Sequence, residues 1–108
     1  MMTVKQISAT ELHAKIQNEE PLLLLDVREP GEFQYAHIEG SVLIPLQQIP
    51  HRLSELNLQQ PVVVICHHGM RSQQAAHYLV HSGFENISNL TGGIDAWSCQ
   101  CDSAVPRY

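Results

Sequence analysis

Residues 62–72 read Val-Val-Val-Ile-Cys-His-His-Gly-Met-Arg-Ser. Four apolar and mostly β-branched residues lead directly into Cys66, and an amphipathic pattern begins after Arg71 and Ser72. Such a run predicts a buried parallel strand, a tight loop and the start of a helix. Backbone N–H groups and the positive end of the helix dipole stabilise a thiolate at this kind of junction. Cys66 is therefore a candidate nucleophile, and the alternative is an inert thiol buried in the core.

Apolar runs and helical patterns alternate on both sides of this stretch. The sequence predicts five strands, at 4–7, 22–25, 41–44, 62–65 and 86–90. It predicts helical segments between them, at 8–20, 32–35, 49–56, from the end of the loop to Gly83, and at 94–97. This alternation favours right-handed crossovers and a mainly parallel sheet with helices on both faces. Residues 1–108 are accordingly expected to form one α/β domain.

Two polar residues are expected at the same edge of this sheet. Asp26 ends the second strand and Cys66 follows the fourth, although 40 residues separate them. Ligands of parallel α/β sheets bind beyond the carboxyl ends of the strands. Asp26 is therefore a candidate substrate-binding residue that pairs with Arg71 or Arg28. The alternative is a solvated acid at the end of a strand.

Composition narrows the class of protein. The chain has 108 residues, of which 44% are hydrophobic, which suffices for a core without disulfides. The net charge of −5 argues against nucleic acid as the main partner. The first residues contain no long apolar run, so neither a signal peptide nor a membrane span is expected. Three cysteines, two of them crowded at Cys99 and Cys101, do not form a disulfide framework, which favours a cytoplasmic protein.

Four segments together resemble the single-domain rhodanese-type sulfurtransferases. They are Asp26-Val27-Arg28-Glu29 with Glu32-Phe33; His37-Ile38-Glu39-Gly40; Cys66 to Ser72; and Gly92-Gly93-Ile94-Asp95-Ala96-Trp97. The resemblance implies a three-layer α/β/α domain with a five-stranded, mainly parallel sheet, and a cysteine that carries sulfur as a persulfide. No cofactor is implied. Ala36 stands where the family usually has glycine and Glu39 where proline is common, and both positions lie away from the loop.

The resemblance also assigns roles within the loop. Cys66 and Arg71 are the expected catalytic residues, and the backbone amides of residues 67–71 are expected to surround the sulfur. The expected substrate-binding residues are His67, His68, Gly69, Met70 and Ser72. From the residues themselves, Gly69 permits a positive φ, and Ser72 is a helix cap or a donor within the loop. The planar guanidinium group of Arg71 has several N–H donors, which suit either support of the loop or attraction of an anionic sulfur donor.

The histidines have less direct roles in this interpretation. An ionised cysteine needs no general base, so His67 and His68 are expected to line the entrance and tune the choice of substrate. A metal site at Cys66, His67 and His68 is not expected, because adjacent side chains diverge and no fourth ligand is evident. His37 is expected to be a structural histidine bonded to the backbone.

Three functions remain open at this point. The first is transfer of sulfane sulfur from thiosulfate or a persulfide to cyanide, a thiol or a protein, and sequence does not separate an enzyme from a protein sulfur carrier. The second is a phosphatase or arsenate reductase of related fold. Those proteins resemble one another in a Cys-x5-Arg motif, which has five residues between the cysteine and the arginine. In this chain only four residues separate Cys66 and Arg71. The third is a non-enzymatic interaction module, although inactive relatives often lack the cysteine.

Overall fold

Five strands and four α-helices make up residues 3–108, the part of the chain that the computed structural model describes. In chain order they are β1 (Lys5–Ile7), α1 (Ala9–Gln17), β2 (Leu23–Asp26), α2 (Pro30–Tyr35), β3 (Val42–Leu43), β4 (Val62–Ile65), α3 (Met70–His81), β5 (Ile87–Leu90) and α4 (Gly93–Gln100). The strands form one parallel sheet in the order β1-β5-β4-β2-β3. The predicted α/β class and five-stranded parallel sheet are confirmed.

Strand β4 lies at the centre of the sheet and is buried on both faces. Its side chains alternate between two hydrophobic clusters. Val62 and Val64 pack in the cluster that includes α3, and Val63 and Ile65 pack in the cluster that includes α1 and α4. Burying each of these side chains contributes about 1.5–3 kcal/mol to stability. The run of β-branched residues therefore places Cys66 at the end of the most securely held strand.

Helix α3 is flanked by two glycines with left-handed backbone conformations. Gly69 precedes its first turn with φ of 107°, and Gly83 follows its last turn with φ of 102°. At the carboxyl end, Phe84 N–H donates to Leu79 O at 3.1 Å and Gly83 N–H donates to Val80 O at 3.1 Å. These two bonds form a Schellman motif at the end of the helix.

The segment between β3 and β4 differs from the predicted helix. It forms two 3₁₀ helices, Leu46–His51 and Leu53–Glu55. Its hydrogen bonds span three residues, as between Arg52 N–H and Ile49 O at 3.1 Å. Pro50 has no N–H to donate to the carbonyl oxygen of Leu46, so the first α-helical bond is missing. The apolar spacing was interpreted correctly as helical, but the type of helix was wrong.

Helix α4 is longer than predicted and contains Cys99. The sequence placed the end of this helix at Trp97, whereas it continues to Gln100. Cys99 is exposed on α4 and Cys101 follows at its end, and both are free thiols. The predicted end of this helix, which left Cys99 outside it, was therefore wrong. None of the helices in residues 3–108 has the length and hydropathy needed to cross a membrane.

Candidate active site

Cys66 lies at the carboxyl end of β4 with its thiol enclosed by the following loop. Only 1% of the residue is exposed. The backbone N–H of Gly69 donates a 3.0 Å hydrogen bond to Cys66 Sγ. The left-handed conformation of Gly69 turns the chain into α3 at this point, and a Cβ there would lie 3.4 Å from Leu90 O and from Gly92 N. The sequence therefore curls a backbone donor toward the sulfur through one glycine.

The first turn of α4 holds the opposite side of the loop. Ile94 N–H donates to Cys66 O at 2.8 Å, and Asp95 N–H donates to His67 O at 3.2 Å. A Cβ on Gly93 would overlap both of these carbonyl oxygens, and Gly93 has φ of 62°. The carbonyl oxygens of Cys66 and His67 thus bond to α4. Sequence reasoning assigned Gly92-Gly93 no role beside the loop, although adjacent glycines are a signal of close backbone approach.

Ser72 and Asn89 form a buried polar pair below the thiol. Ser72 Oγ lies 3.2 Å from Cys66 Sγ and 2.5 Å from Asn89 Oδ1. Asn89 Nδ2 donates to Gly69 O at 3.3 Å, which fixes the orientation of the amide and turns Oδ1 toward Ser72. The hydroxyl has one hydrogen, so it donates to the sulfur or to the amide oxygen, one at a time. Sequence reasoning missed Asn89, whose signal was a polar residue within a buried strand.

Arg71 is held by a carboxylate from α2. Its Nη1 and Nη2 donate to Glu32 Oε1 and Oε2 at 2.7 and 2.9 Å. Chiefly through these hydrogen bonds, Arg71 lowers the pKa of Glu32 to about 2, and the same bonds raise the pKa of Arg71. Both groups are therefore ionised throughout the usual pH range. Glu32 belonged to a segment that carried the family resemblance, but the sequence assigned it no role at the site.

Tyr108 covers one side of the loop. Its hydroxyl donates to Glu32 Oε2 at 2.7 Å and accepts from Arg28 Nη1 at 2.8 Å. Its ring stacks on that of His67, with centroids 3.9 Å apart and planes 7° apart. Partial burial raises the pKa of Tyr108, so the hydroxyl is protonated at neutral pH. No pattern in the sequence had singled out this residue.

The segment before Tyr108 is anchored to the domain at two points. Val105 is buried in the cluster that contains α1 and α4. Arg107 Nε donates to Asp95 Oδ1 at 2.9 Å, which ties the segment to the first turn of α4. These contacts fix residues 105–108 beside the loop that carries Cys66.

Asp26 does not lie where a substrate would reach it. The residue is fully buried, and its carboxylate accepts hydrogen bonds from Arg28 Nε and Nη2, the shortest at 2.7 Å. Arg28 is equally buried and also donates to Ala36 O. Of the two partners considered for Asp26, the structure has Arg28. The substrate-binding assignment of Asp26 was wrong, because the pair faces the interior and joins β2 to the chain after α2.

The remaining loop side chains differ in their exposure and contacts. The ring of His67 is stacked on that of Tyr108 and contacts the ring of His68 at a tilt of 32°. Partial burial lowers the pKa of His67, and the charge of His68 lowers it further, so His67 is neutral near pH 7. Met70 is 83% exposed. The binding roles of His67, His68 and Met70 stay predictions.

His37 has the structural role that the sequence predicted. Its Nδ1 lies 2.8 Å from Phe33 O, and its ring stacks on Phe33 with centroids 4.2 Å apart. These contacts close the end of α2, which carries Glu32. In the described part of the chain, no three His, Cys, Asp or Glu side chains are grouped to hold a metal ion.

Comparisons with known proteins agree with this geometry. The family pattern described as Rhodanese-like domain matches residues 8–100. The thiosulfate sulfurtransferase GlpE of Pseudoalteromonas translucida is 36% identical over 98% of this chain and 100% of its own length. A sulfurtransferase of Allochromatium vinosum is 37% identical over 88% of this chain and 89% of its own. Two further relatives are longer proteins, of which this chain covers 38% and 52%.

A solved structure has the same fold. The crystal structure of a rhodanese-like domain protein from Staphylococcus aureus superposes with a TM-score of 0.84. The two sequences are 30% identical, and the match covers 97% of this chain and 99% of that one. The range matched by the family pattern, residues 8–100, includes every strand except β1, together with Cys66, Arg71 and the first turn of α4. The chain therefore belongs to the rhodanese-like domain family.

Proposed function

We propose that this protein is a sulfurtransferase that moves sulfane sulfur from thiosulfate or a persulfide to cyanide, a thiol or a protein acceptor. One observation carries the proposal: a single thiol, Cys66, lies at the end of a buried strand with the N–H of Gly69 directed at its sulfur. The sulfurtransferase names of two relatives that this chain matches over most of their length support the same activity.

The reaction proceeds in two balanced steps. The Cys66 thiolate attacks the outer sulfur of the donor and forms a new S–S bond. With thiosulfate, the original S–S bond breaks, and sulfite leaves with the electron pair. The persulfide anion on Cys66 is then attacked at its outer sulfur by the acceptor. With cyanide, thiocyanate leaves and the thiolate is restored, so no external oxidant or reductant is needed.

The loop provides fixed donors for the negative charge on sulfur. Gly69 N–H already bonds to Sγ, and the Ser72 hydroxyl lies within reach of it. Donors that are already oriented stabilise a developing charge without the cost of reorganising water. Arg71 joins the loop to α2 through Glu32.

The short loop favours sulfur over phosphate or arsenate. Only four residues lie between Cys66 and Arg71, and α4 holds two of the loop carbonyl oxygens in place. A tetrahedral oxyanion is bulkier than one sulfur atom and needs a wider ring of donors. A phosphatase assay with an aryl phosphate is therefore expected to give no turnover that depends on Cys66.

The decisive experiment compares Cys66→Ser with Cys99→Ser. Both variants lose one thiol, but Cys99 is exposed on α4 and away from the loop. The wild type and Cys99→Ser should transfer sulfur from thiosulfate to cyanide, and Cys66→Ser should not. Intact mass after thiosulfate should show one added sulfur atom that a reductant removes. Turnover in Cys66→Ser close to that of the wild type would contradict the proposal.

We also propose a reducing compartment, the cytoplasm, as the place of action. The three thiols are free, and a persulfide enzyme depends on keeping its cysteine out of a disulfide. Fractionation of cells that express the protein, followed by immunodetection, tests this location.

A further inference from the structure

We infer that Glu32 and Tyr108 determine the choice of sulfur donor, by holding Arg71 in a neutralised pair that disfavours a dianion such as thiosulfate. The preferred donors are then those of lower charge, such as an alkyl thiosulfonate or a persulfide. The inference rests on the proposed sulfur transfer and narrows its donor class.

The first step of the argument is the charge balance beside the thiol. Both terminal nitrogens of Arg71 are used by Glu32, at 2.7 and 2.9 Å. Arg28, the other arginine of this network, is paired with the buried Asp26. Each positive charge therefore has its own carboxylate, and an anionic donor entering the loop meets a neutral pair instead of a free cation. The chain as a whole carries −5 and adds no long-range attraction.

The second step is the rigidity of the pair. The Glu32 carboxylate accepts hydrogen bonds from Arg71, from the backbone N–H of Glu29 and from the Tyr108 hydroxyl. Tyr108 is itself held by Arg28 and by the stacked ring of His67. Glu32 remains ionised at any pH at which the protein would be assayed. The carboxylate therefore has no free rotation by which it could release Arg71 to a substrate.

The third step is the position of Tyr108 relative to the thiol. Its ring lies on His67, the residue after Cys66, and its hydroxyl lies on Glu32. A donor that approaches Cys66 from this side therefore meets an aromatic ring and a protonated hydroxyl. These groups suit the apolar alkyl group of a thiosulfonate better than the charged oxygen that thiosulfate has in its place.

Two sulfur donors that differ by one charge isolate the effect of the Glu32 charge on donor choice. Thiosulfate is a dianion, and methanethiosulfonate is a monoanion that gives up its outer sulfur in the same way. Glu32→Gln keeps the shape of the side chain and an oxygen for Glu29 N–H, but it removes the negative charge. We expect the ratio of kcat/KM for thiosulfate to kcat/KM for methanethiosulfonate to rise about 2- to 3-fold, because electrostatic energy scales with donor charge, whereas weaker support of the loop affects both donors alike.

Matched controls separate local from general charge effects. Glu55→Gln changes the net charge by the same amount, but Glu55 pairs with Arg52 on the surface. It should leave the ratio of the two donors unchanged. Tyr108→Phe keeps the stacking on His67 and removes the hydroxyl bond to Glu32, so it should shift the ratio toward thiosulfate by a smaller factor. Tyr35→Phe, an exposed tyrosine beside Tyr108, is its control.

The outcomes distinguish the inference from the function on which it rests. The gain of Glu32→Gln should shrink between about 0.05 and about 0.5 M salt, because salt screens charges near the surface. An unchanged or lower thiosulfate preference in Glu32→Gln would overturn the inference while leaving sulfur transfer intact. If Glu32→Gln does not fold, the ratio in Tyr108→Phe decides. Absence of sulfur loading from either donor in the wild type would instead overturn the proposed function.

Discussion

The backbone N–H of Ile94 donates a 2.8 Å hydrogen bond to the carbonyl oxygen of Cys66. The loop that follows Cys66 is therefore supported by residues later in the chain, at the first turn of α4. A second bond, from Asp95 N–H to His67 O, extends this support by one residue. Gly93 permits the close approach, because any side chain there would overlap the loop backbone.

Gly93→Ala should therefore displace the loop. The added methyl group meets the carbonyl oxygens of Cys66 and His67, and the φ of 62° is itself unfavourable for alanine. We expect kcat/KM for sulfur transfer to fall about 100-fold, since small misplacements of reacting groups are costly. Gly31→Ala is the matched control, because a Cβ at Gly31 meets nothing within 4 Å. Equal activity of the two variants would contradict this role of α4.

Ser72→Ala should slow the reaction of Cys66 with iodoacetamide at neutral pH. The hydroxyl lies 3.2 Å from the sulfur and stabilises its anion when it donates there. Its single hydrogen is shared with Asn89, so we expect a decrease of about 3- to 10-fold, smaller than the loss of a full charge-assisted bond. Ser54→Ala on the exposed 3₁₀ segment should react at the wild-type rate. An unchanged rate in Ser72→Ala would show that the hydroxyl donates only to Asn89.

Arg71→Lys should impair sulfur transfer although the charge is retained. A lysine cannot bond to both oxygens of Glu32, and the loop loses its fixed link to α2. We expect a decrease in kcat/KM of about 10-fold or more. Arg52→Lys, at an exposed arginine–glutamate pair, should have wild-type activity. Full activity of Arg71→Lys would mean that positive charge alone is required at this position.

The ion pair between Glu32 and Arg71 should also affect the stability of the protein in acid. The pKa of Glu32 is lowered from 4.5 to about 2, chiefly by the hydrogen bonds from Arg71. Its contribution is therefore fully present above pH 4.5 and is lost as the pH falls through about 2. Glu32→Gln should lower the free energy of unfolding by about 1–2 kcal/mol at neutral pH.

Thermal unfolding of the wild type and Glu32→Gln across this pH range tests the sign. The difference in Tm between them should be largest near neutral pH and should shrink as the pH approaches about 2. Glu55→Gln, on the exposed surface, should show a smaller difference. A gap between the wild type and Glu32→Gln that widens on acidification would contradict the assignment of the pair.

The double variant Cys99→Ser/Cys101→Ser should retain wild-type turnover. Cys99 is exposed on α4, and burial raises the pKa of the Cys101 thiol, which lowers its reactivity as a thiolate. Steady-state transfer to cyanide and to a thiol measures the effect. A loss of more than about fivefold would favour a resolving thiol that attacks the Cys66 persulfide.

Local sequence signals predicted most of the fold. The β-branched run at 62–65 matched β4 residue for residue, and the helix predicted from residue 8 begins with a capping box between Ser8 and Glu11, with bonds of 3.1 and 2.8 Å. These features depend on neighbours in the chain. The helix predicted at 49–56 is of a different type because Pro50, the fifth residue of the 3₁₀ helix Leu46–His51, lacks an α-helical donor, and the spacing of apolar residues does not reveal this loss.

The candidate site was only partly predictable. Cys66 and the loop could be located, because a strand that ends in a cysteine and a glycine-containing turn is a local pattern. The partners of Arg71 and the position of Tyr108 depend on contacts between residues 39 and 76 positions apart. Asp26 was misassigned for the same reason: its exposure depends on how Arg28 folds back onto it, and sequence alone does not show this.

The positions in the chain of the residues that hold the Cys66 loop also determine when this loop becomes fixed during synthesis. Cys66 leaves the ribosome before Gly93, Ile94 and Asp95, and β1 pairs with β5, near the end of the chain. A nascent chain that stops before residue 87 has the thiol without the N–H groups that hold its loop, and it has β1 without its partner strand β5. Such long-range pairing forms late in folding. Until the last helix forms, the loop that follows Cys66 therefore lacks two of the hydrogen bonds that hold its backbone in place.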